Sequence, residues 1–364
     1  MATRNKLNFW LTVNRSCNLR CRWCYAMMTK FARNDMTMET VAMSIALAKD
    51  LGLESVILLG GEPTIHPHFL GIVRSIASAS LKVYLVTNAV EFSRVDTLDR
   101  AVEAGVSAVT ISLKAFNRAD YKKLTRRDAF DRVERAIANI VAREISHVIN
   151  VTLSQETMGK IDQLIFLARS LGVKSVSLDT GKPIIIQGRT MADGMGSPQE
   201  LANFFVSAYP KFVASGMSFS FKIALPFCLF PKQFIEQILH DGNILTGCQM
   251  VTGRGVIIDP DGDIIPCNHL CHLSLGQVGG IKDCGSFDEF RASVPVSNFY
   301  QWSAKCPSAR CVDCEYWPKC GGGCRLYWLH YGAGDLLPNF SAKAEEGLRH
   351  EQEKGRSGRM FEVR

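Results

Sequence analysis

Three cysteines, Cys17, Cys21 and Cys24, stand within eight residues in the spacing C-x3-C-x2-C, inside the stretch NRSCNLRCRWCYA from Asn14 to Ala26. A structural zinc site closes with four protein ligands. Three thiolates on one short loop suit a 4Fe–4S cluster with one iron left uncovered. That iron can take an outside ligand, which is what a catalytic centre needs.

The chain has 364 residues and thirteen cysteines: three between 17 and 24, none between 25 and 227, and ten between 228 and 324. Disulfide frameworks belong mostly to short secreted chains, so tight groups in a long chain favour metal. The N-terminus MATRNKLNFWLTVN lacks the apolar stretch and cleavage site of a signal peptide. No run of about 18 apolar residues follows. The expectation is a cytoplasmic, enzyme-sized protein with no membrane partner. Hydrophobic residues make up 47% and charged residues 21%, enough for a sizeable core. A net charge of +7 is a mild excess. KLTRR (123–127) is the only tight basic run and reads as a solvated loop or a contact for an anionic substrate. A zinc- or nucleic-acid-binding protein is therefore the minor alternative, and no nucleic-acid partner is expected.

The elements that must hold the cysteines are legible as an alternation. LNFWLTV (7–13), SVILLG (55–60), KVYLVTN (82–88), AVTISLK (108–114), HVINVTL (147–153) and KSVSLD (174–179) read as strands. Between them lie amphipathic stretches, the first capped by Thr37 and the others at 66–79, 95–104, 128–142 and 157–171, with Gly52, Gly105 and Gly172 at their ends. Nearly continuous hydrophobicity means strands buried on both faces, hence a parallel α/β sheet, doubly wound or barrel-like. Either puts the active-site loops at the strand C-termini, where the three cysteines fall. QGRTMADGMGSPQE (187–200) reads as a linker, followed by helices near 198–215 and 231–240. GVIIDPDGDIIPC (255–267) reads as a hairpin turning at Pro-Asp-Gly.

The cysteine loop, with aromatic Trp23 just before Cys24, resembles the signature of the radical S-adenosylmethionine (SAM) enzymes. That resemblance implies a partial (β/α)6 TIM-type barrel at 1–190, a helical bridge at 191–245, a small cysteine-rich α+β auxiliary domain at 246–330, and a C-terminal helix and tail at 331–364. It implies that S-adenosylmethionine binds the open iron and is cleaved to a 5′-deoxyadenosyl radical that abstracts a substrate hydrogen. Gly60-Gly61-Glu62-Pro63 matches the family's GGEP, whose backbone receives the cofactor's amino group and whose glutamate offsets positive charge; the plainer reading is a strand-to-helix turn. Thr87-Asn88 falls where the family has Thr-Asn-Gly, with Ala89 in place of the glycine. Ser112 and Lys114 end the fourth strand in a stretch similar to the Asp-x-Lys segment of glycyl-radical activating enzymes. Lys114 is expected to pair with the cofactor carboxylate or to sit solvated in a loop. Asn150, inside the fifth strand, is a buried polar group for the cofactor or a neighbouring backbone group.

At the other end, Cys248-x13-Gly262-x4-Cys267 and Cys311-x2-Cys314-x5-Cys320-x3-Cys324 resemble the SPASM extension of the same superfamily. The resemblance implies one or two auxiliary iron–sulfur clusters. It gives Cys248, Cys267 and Cys324 to the first and Cys311, Cys314 and Cys320 to the second. The pattern's last cysteine is missing after Cys324. The second cluster's fourth ligand is then Cys306, an oxygen or nitrogen side chain, or nothing. The first cluster's is Cys228, Cys271 or Cys284, although Cys228, in ALPFCLF, also reads as a core thiol.

Such clusters beside a substrate suggest net oxidation. The substrate expected first is a ribosomally made peptide, to be crosslinked, dehydrogenated or decarboxylated. The alternatives are a small molecule (a sugar, nucleoside or tetrapyrrole) and a protein side chain, as in sulfatase maturation. The expected partners are an external flavodoxin- or ferredoxin-type electron donor and, because the cluster loop begins at residue 17, a separate peptide-recognition protein.

Overall fold

The computed structural model describes residues 7–28, 34–186 and 188–336. Its main sheet opens with β1 (Asn8–Thr12), β2 (Ser55–Leu59), β3 (Lys82–Thr87), β4 (Val106–Leu113), β5 (His147–Thr152) and β6 (Ser175–Asp179), all parallel and neighbours in chain order. A doubly wound sheet reverses strand order at a switch point. There is no reversal among these six, so the winding is that of a partial barrel. The alternating residues Val56, Leu58, Val83, Leu85, Val109, Ile111, Ile149 and Val151 are wholly buried, or nearly so, as the strand pattern requires.

The crossover helices are α1 (Met38–Asp50), α2 (Phe69–Ser78), α3 (Val95–Ala104), the adjoining α4 (Arg118–Thr125) and α5 (Phe130–Ala142), and then α6 (Gln155–Met158) and α7 (Ile161–Ser170). Each longer helix buries one stripe. In α2 it is Phe69, Ile72, Val73 and Ile76; in α5 it is Phe130, Val133, Ile137 and Ile140. Thr37 caps α1 by accepting the Thr40 N–H at 3.2 Å. Gly105, at φ +118°, ends α3 in the left-handed region that glycine adopts at little cost.

Two expectations are corrected here. KLTRR is not a loop: Lys123 to Thr125 form the last turn of α4, which Asn117 caps at 2.9 Å through the Asp120 N–H. The helix was missed because its polar residues outweigh its buried Tyr121 and Leu124. Nor is 187–200 wholly a linker. β7 (Ile184–Ile186) and β8 (Arg189–Met191) pair antiparallel, and α8 (Pro198–Ser215) starts at Ser197 with a capping box to Glu200.

The sheet extends beyond the six strands at both edges. β9 (Ser218–Lys222) joins β6 in parallel and carries β10 (Ile244–Leu245). At the other edge β11 (Gly255–Ile258) joins β1 in parallel, then turns through Gly262 (φ +82°) into antiparallel β12 (Asp263–Ile265) and β13 (Gly276–Gln277). The hairpin read from Pro-Asp-Gly is thus continuous with the barrel sheet. Of the expected C-terminal helix and tail, residues 337–364 lie outside the described residues.

Candidate active site

The three cysteines follow β1 directly, and their loop is held from two sides. On one side the turn after β2 lies against it: Gly61 N–H donates to Asn14 O and Glu62 N–H to Ser16 O, both at 2.8 Å. Asn14, wholly buried, returns a bond from Nδ2 to Glu62 O at 3.0 Å. A Cβ on Gly60 would lie 2.1 Å from Asn14 Oδ1, and one on Gly61 2.3 Å from Ser16 O. No side chain tolerates that, so the glycine pair is needed for the turn to seat against the cysteine loop. On the other side Arg20 N–H donates to Thr125 O at 2.9 Å and Arg22 N–H to Leu124 O at 3.1 Å. Carbonyls that end α4 without partners of their own are thereby satisfied.

Glu62 is buried and joins β2 to β3. Its Oε1 accepts from Thr64 N–H (3.1 Å), Thr64 Oγ1 (2.6 Å) and Thr87 Oγ1 (2.6 Å), and its Oε2 from Asn88 N–H (2.7 Å). These four donors are neutral. Burial pushes the carboxyl up, and the Thr64, Thr87 and Asn88 bonds pull it down. Asn88 Nδ2 donates to Asn18 Oδ1 at 2.7 Å and lies 3.8 Å from Cys17 Sγ, so β3's end also steadies the loop. Ala89 takes φ +63°, the conformation a glycine would hold without strain.

All three cysteines line one cavity of about 250 Å³, together with Trp23, Gly60, Gly61, Glu62, Thr87 and Asn88. Ser112 and Lys114 face it too, with Lys114 Nζ donating to Ser112 Oγ at 2.5 Å. Lys114 therefore lies at the cavity wall. Pro63 and Asn150 are not among the lining residues. Asn150 Oδ1 accepts from Lys222 Nζ at 2.9 Å, so its partner is a β9 side chain rather than a backbone group.

Sequence reasoning missed the opposite wall. Asp179, Thr180 and Lys182 reach the cavity from the end of β6, and His269 from the turn after β12. Lys182 Nζ donates to Asp179 Oδ1 at 2.6 Å and to Thr180 O at 3.1 Å. Asp179 was findable, because it ends a strand as the cysteines do. His269 was not: only the fold brings it back, with its ring 4.7 Å from that of Tyr25. Burial, then Lys182, pushes His269 down to about 4 and keeps it neutral.

The C-terminal cysteines form two groups. Cys248, Cys267 and Cys324 lie together: burial, then Cys248 and Cys267, pushes Cys324 up to about 12. Lys182 acts on this group as well as facing the cavity. Cys311, Cys314 and Cys320 line a second cavity, of about 190 Å³. Cys271 is buried against Ile257, Ile265 and Trp10, and Cys284 opens the helix Cys284–Ala292. Cys228 is exposed, contrary to its reading as a core thiol.

The donor set fits iron–sulfur clusters. Among the described residues no three His, Cys, Asp or Glu side chains come close enough to share a single metal ion, whereas the cysteine groups border cavities or one another. Burial, then Glu62, pushes Cys17 up to about 12, so a free thiol there stays protonated. A cationic metal centre is what makes such a thiolate stable.

Residues 11–168 match the Radical SAM superfamily. A GTP 3′,8-cyclase of Chlorobaculum tepidum is 33% identical over 135 residues, 36% of this chain and 40% of that one. A probable GTP 3′,8-cyclase of Saccharolobus islandicus is 28% identical over 176 residues, 48% of this chain and 56% of that one. The chain thus spans about half the length of the curated relatives it matches. In fold it is similar to Streptococcus suis SuiB bound to its precursor peptide SuiA (TM-score 0.69, 17% identity, 90% of this chain and 73% of that one). It is also similar to anSMEcpe with AdoMet and the Kp18Cys peptide (TM-score 0.68, 15% identity, 94% and 99%). The superfamily match places a radical SAM domain at residues 11–168, and the rest of the chain is similar to these solved structures in fold. The family uses a 4Fe–4S cluster and S-adenosylmethionine, and the C-terminal cysteines fit auxiliary clusters. No helix among the described residues is long and apolar enough to cross a membrane.

Proposed function

We propose that this radical SAM enzyme oxidatively modifies a ribosomally made peptide, by crosslinking, dehydrogenation or decarboxylation. The supporting observation is Lys182, which faces the cavity of the three-cysteine loop and also acts on Cys267 and Cys324. One side chain is thus shared between the cavity and the proposed auxiliary group. The likeness in fold to two peptide-bound structures runs over at least 90% of the chain, while the identity to GTP 3′,8-cyclases covers at most 48% in the matches above.

In this reading Cys17, Cys21 and Cys24 hold a 4Fe–4S cluster, and Cys248, Cys267 and Cys324 hold an auxiliary one. Trp23, Gly60, Gly61, Thr87, Asn88, Ser112 and Lys114 form the S-adenosylmethionine pocket. The bound cofactors supply one-electron cleavage of the sulfonium and abstraction of a substrate hydrogen atom. Lys114 Nζ orients the cofactor carboxylate. Asp179 Oδ2 would take the proton the substrate releases, an auxiliary cluster would accept its second electron, and Lys182 holds that carboxylate in place through Oδ1. The product is two electrons more oxidised than the substrate. An external flavodoxin- or ferredoxin-type donor supplies the starting electron, and a separate protein presents the peptide.

The test incubates anaerobically reconstituted, reduced enzyme with S-adenosylmethionine. 5′-Deoxyadenosine is expected to form and to disappear when Cys17, Cys21 and Cys24 are all replaced by alanine. Candidate peptides are expected to raise its yield and to emerge oxidised. A redox-neutral product overturns the oxidative reading; stimulation by GTP and not by peptides transfers the substrate to the small-molecule class.

A further inference from the structure

We propose that Cys228 is the fourth thiolate of the second auxiliary cluster, completing the set Cys311, Cys314 and Cys320. The proposal rests on reading those three cysteines as cluster ligands and identifies a fourth for them.

The four cysteines line the same cavity of about 190 Å³ although 83 residues separate Cys228 from Cys311. Two bonds set that juxtaposition. Cys324 N–H donates to Ala224 O at 2.7 Å, and Phe227 N–H donates to Cys320 Sγ at 3.3 Å. Residues 224–228 are thereby held in register on the turn that carries the last two cysteines. That turn is tight: a Cβ on Gly323 would lie 2.5 Å from Ala224 O, and Gly323 takes φ +72°. The short helical turn Phe227–Leu229 then buries Phe227 and exposes Cys228.

Phe227 and Phe230, both buried, line the cavity together with Trp317. A thiol facing such walls loses hydration. The four cysteines thus share one largely apolar cleft, a setting suited to ligands of a shared metal centre. No single ion is served, since among the described residues no three such side chains approach closely enough. A cluster, whose ligands stand further apart, is.

Cys306 is the rival. It does not line the cavity that the other four share. With Cys228 in the set, the second site is fully thiolate-ligated and suited to passing electrons. Cys271 and Cys284 are then the cysteines left for the site of Cys248, Cys267 and Cys324.

The test is differential alkylation of the full chain, iron-loaded and iron-stripped, with iodoacetamide and peptide mass spectrometry. Stripped protein is expected to label readily at exposed Cys228. Loaded protein is expected to protect Cys228 together with Cys311, Cys314 and Cys320, while Cys306 labels alike in both. In the Cys17→Ala/Cys21→Ala/Cys24→Ala background, Cys228→Ala is expected to lower bound iron and alter the cluster's electron paramagnetic resonance spectrum. Cys306→Ala should leave both unchanged, and circular dichroism should show each variant folded. Equal labelling of Cys228 with and without iron, or loss of iron in Cys306→Ala alone, overturns the proposal. If Cys311, Cys314 and Cys320 also label equally in both states, the cluster reading of this region falls, and the assignment falls with it.

Discussion

Gly61 meets only backbone at the cysteine loop, where Gly60 first meets the Asn14 side chain. Gly61→Ala would press a Cβ onto the backbone of Arg15 and Ser16. Overpacking of this kind costs about 1–3 kcal/mol, and neither backbone can yield without displacing Cys17. A lower melting temperature and a lower iron content in the N-terminal site are expected together. His66 makes a different residue-scale prediction. Its Nδ1 accepts the His68 N–H at 3.0 Å, so its proton lies on Nε2, facing Met36 O at 3.2 Å. Burial lowers its proton affinity in the fold. The unfolded chain therefore binds the extra proton more readily, and stability falls as pH drops below the ordinary histidine value of about 6.5. Denaturant midpoints should show that loss between neutral and mildly acidic pH, and His66→Gln should flatten this part of the slope. The glycines and cysteines were legible because their spacing is local. The partners that give Gly61 its role, the Arg15 and Ser16 carbonyls, were not, because close approach between two loops leaves no mark on either one's pattern.

Among the elements, α4 couples most directly to the site. The strands and most crossover helices were readable from hydrophobic periodicity, but α4 is short and mostly polar, and its basic end suggested a loop. In the fold it offers its last carbonyls to the N–H groups of Arg20 and Arg22. Asn117→Ala removes its cap and should cost roughly 1 kcal/mol. The distinctive consequence is faster amide hydrogen exchange at Arg20 and Arg22, while the amides of β2 and β3 hold their protection. The β6 end shows the same division. Its strand character was plain, yet Asp179 and Lys182 became site residues only when the sheet set them across the cavity from the cysteines.

On the scale of the whole molecule, the C-terminal part completes the barrel sheet. β11 covers the edge of β1, with Asn8 N–H donating to Arg254 O at 2.8 Å. Just beyond the pairing, Arg15, wholly buried, is bonded to Asp259, and its guanidinium lies 5.6 Å from the Tyr25 ring. Asp259→Asn leaves that buried cation without its counter-charge, a loss of about 3–5 kcal/mol. Because Arg15 sits two residues before Cys17, the variant should lose iron from the N-terminal site as well as stability. Iron analysis beside thermal melts checks both.

The sequence by itself determined the signals at each end of the chain: three cysteines in cluster-like spacing, the glycine turn that accompanies them, a parallel alternation to hold them, and a cysteine-rich region that fits auxiliary clusters. These are local signals, written in spacing and periodicity. Tertiary structure alone decided which groups share a space. It brought Asp179, Lys182 and His269 into one cavity with the cysteines, and it drew Cys248, Cys267 and Cys324 toward Lys182. It also brought an exposed thiol from a phenylalanine-rich turn to the second cysteine group. The physical reason is that sheet order and loop-to-loop hydrogen bonds join residues tens to hundreds of positions apart, and neither follows from the pattern of any one segment.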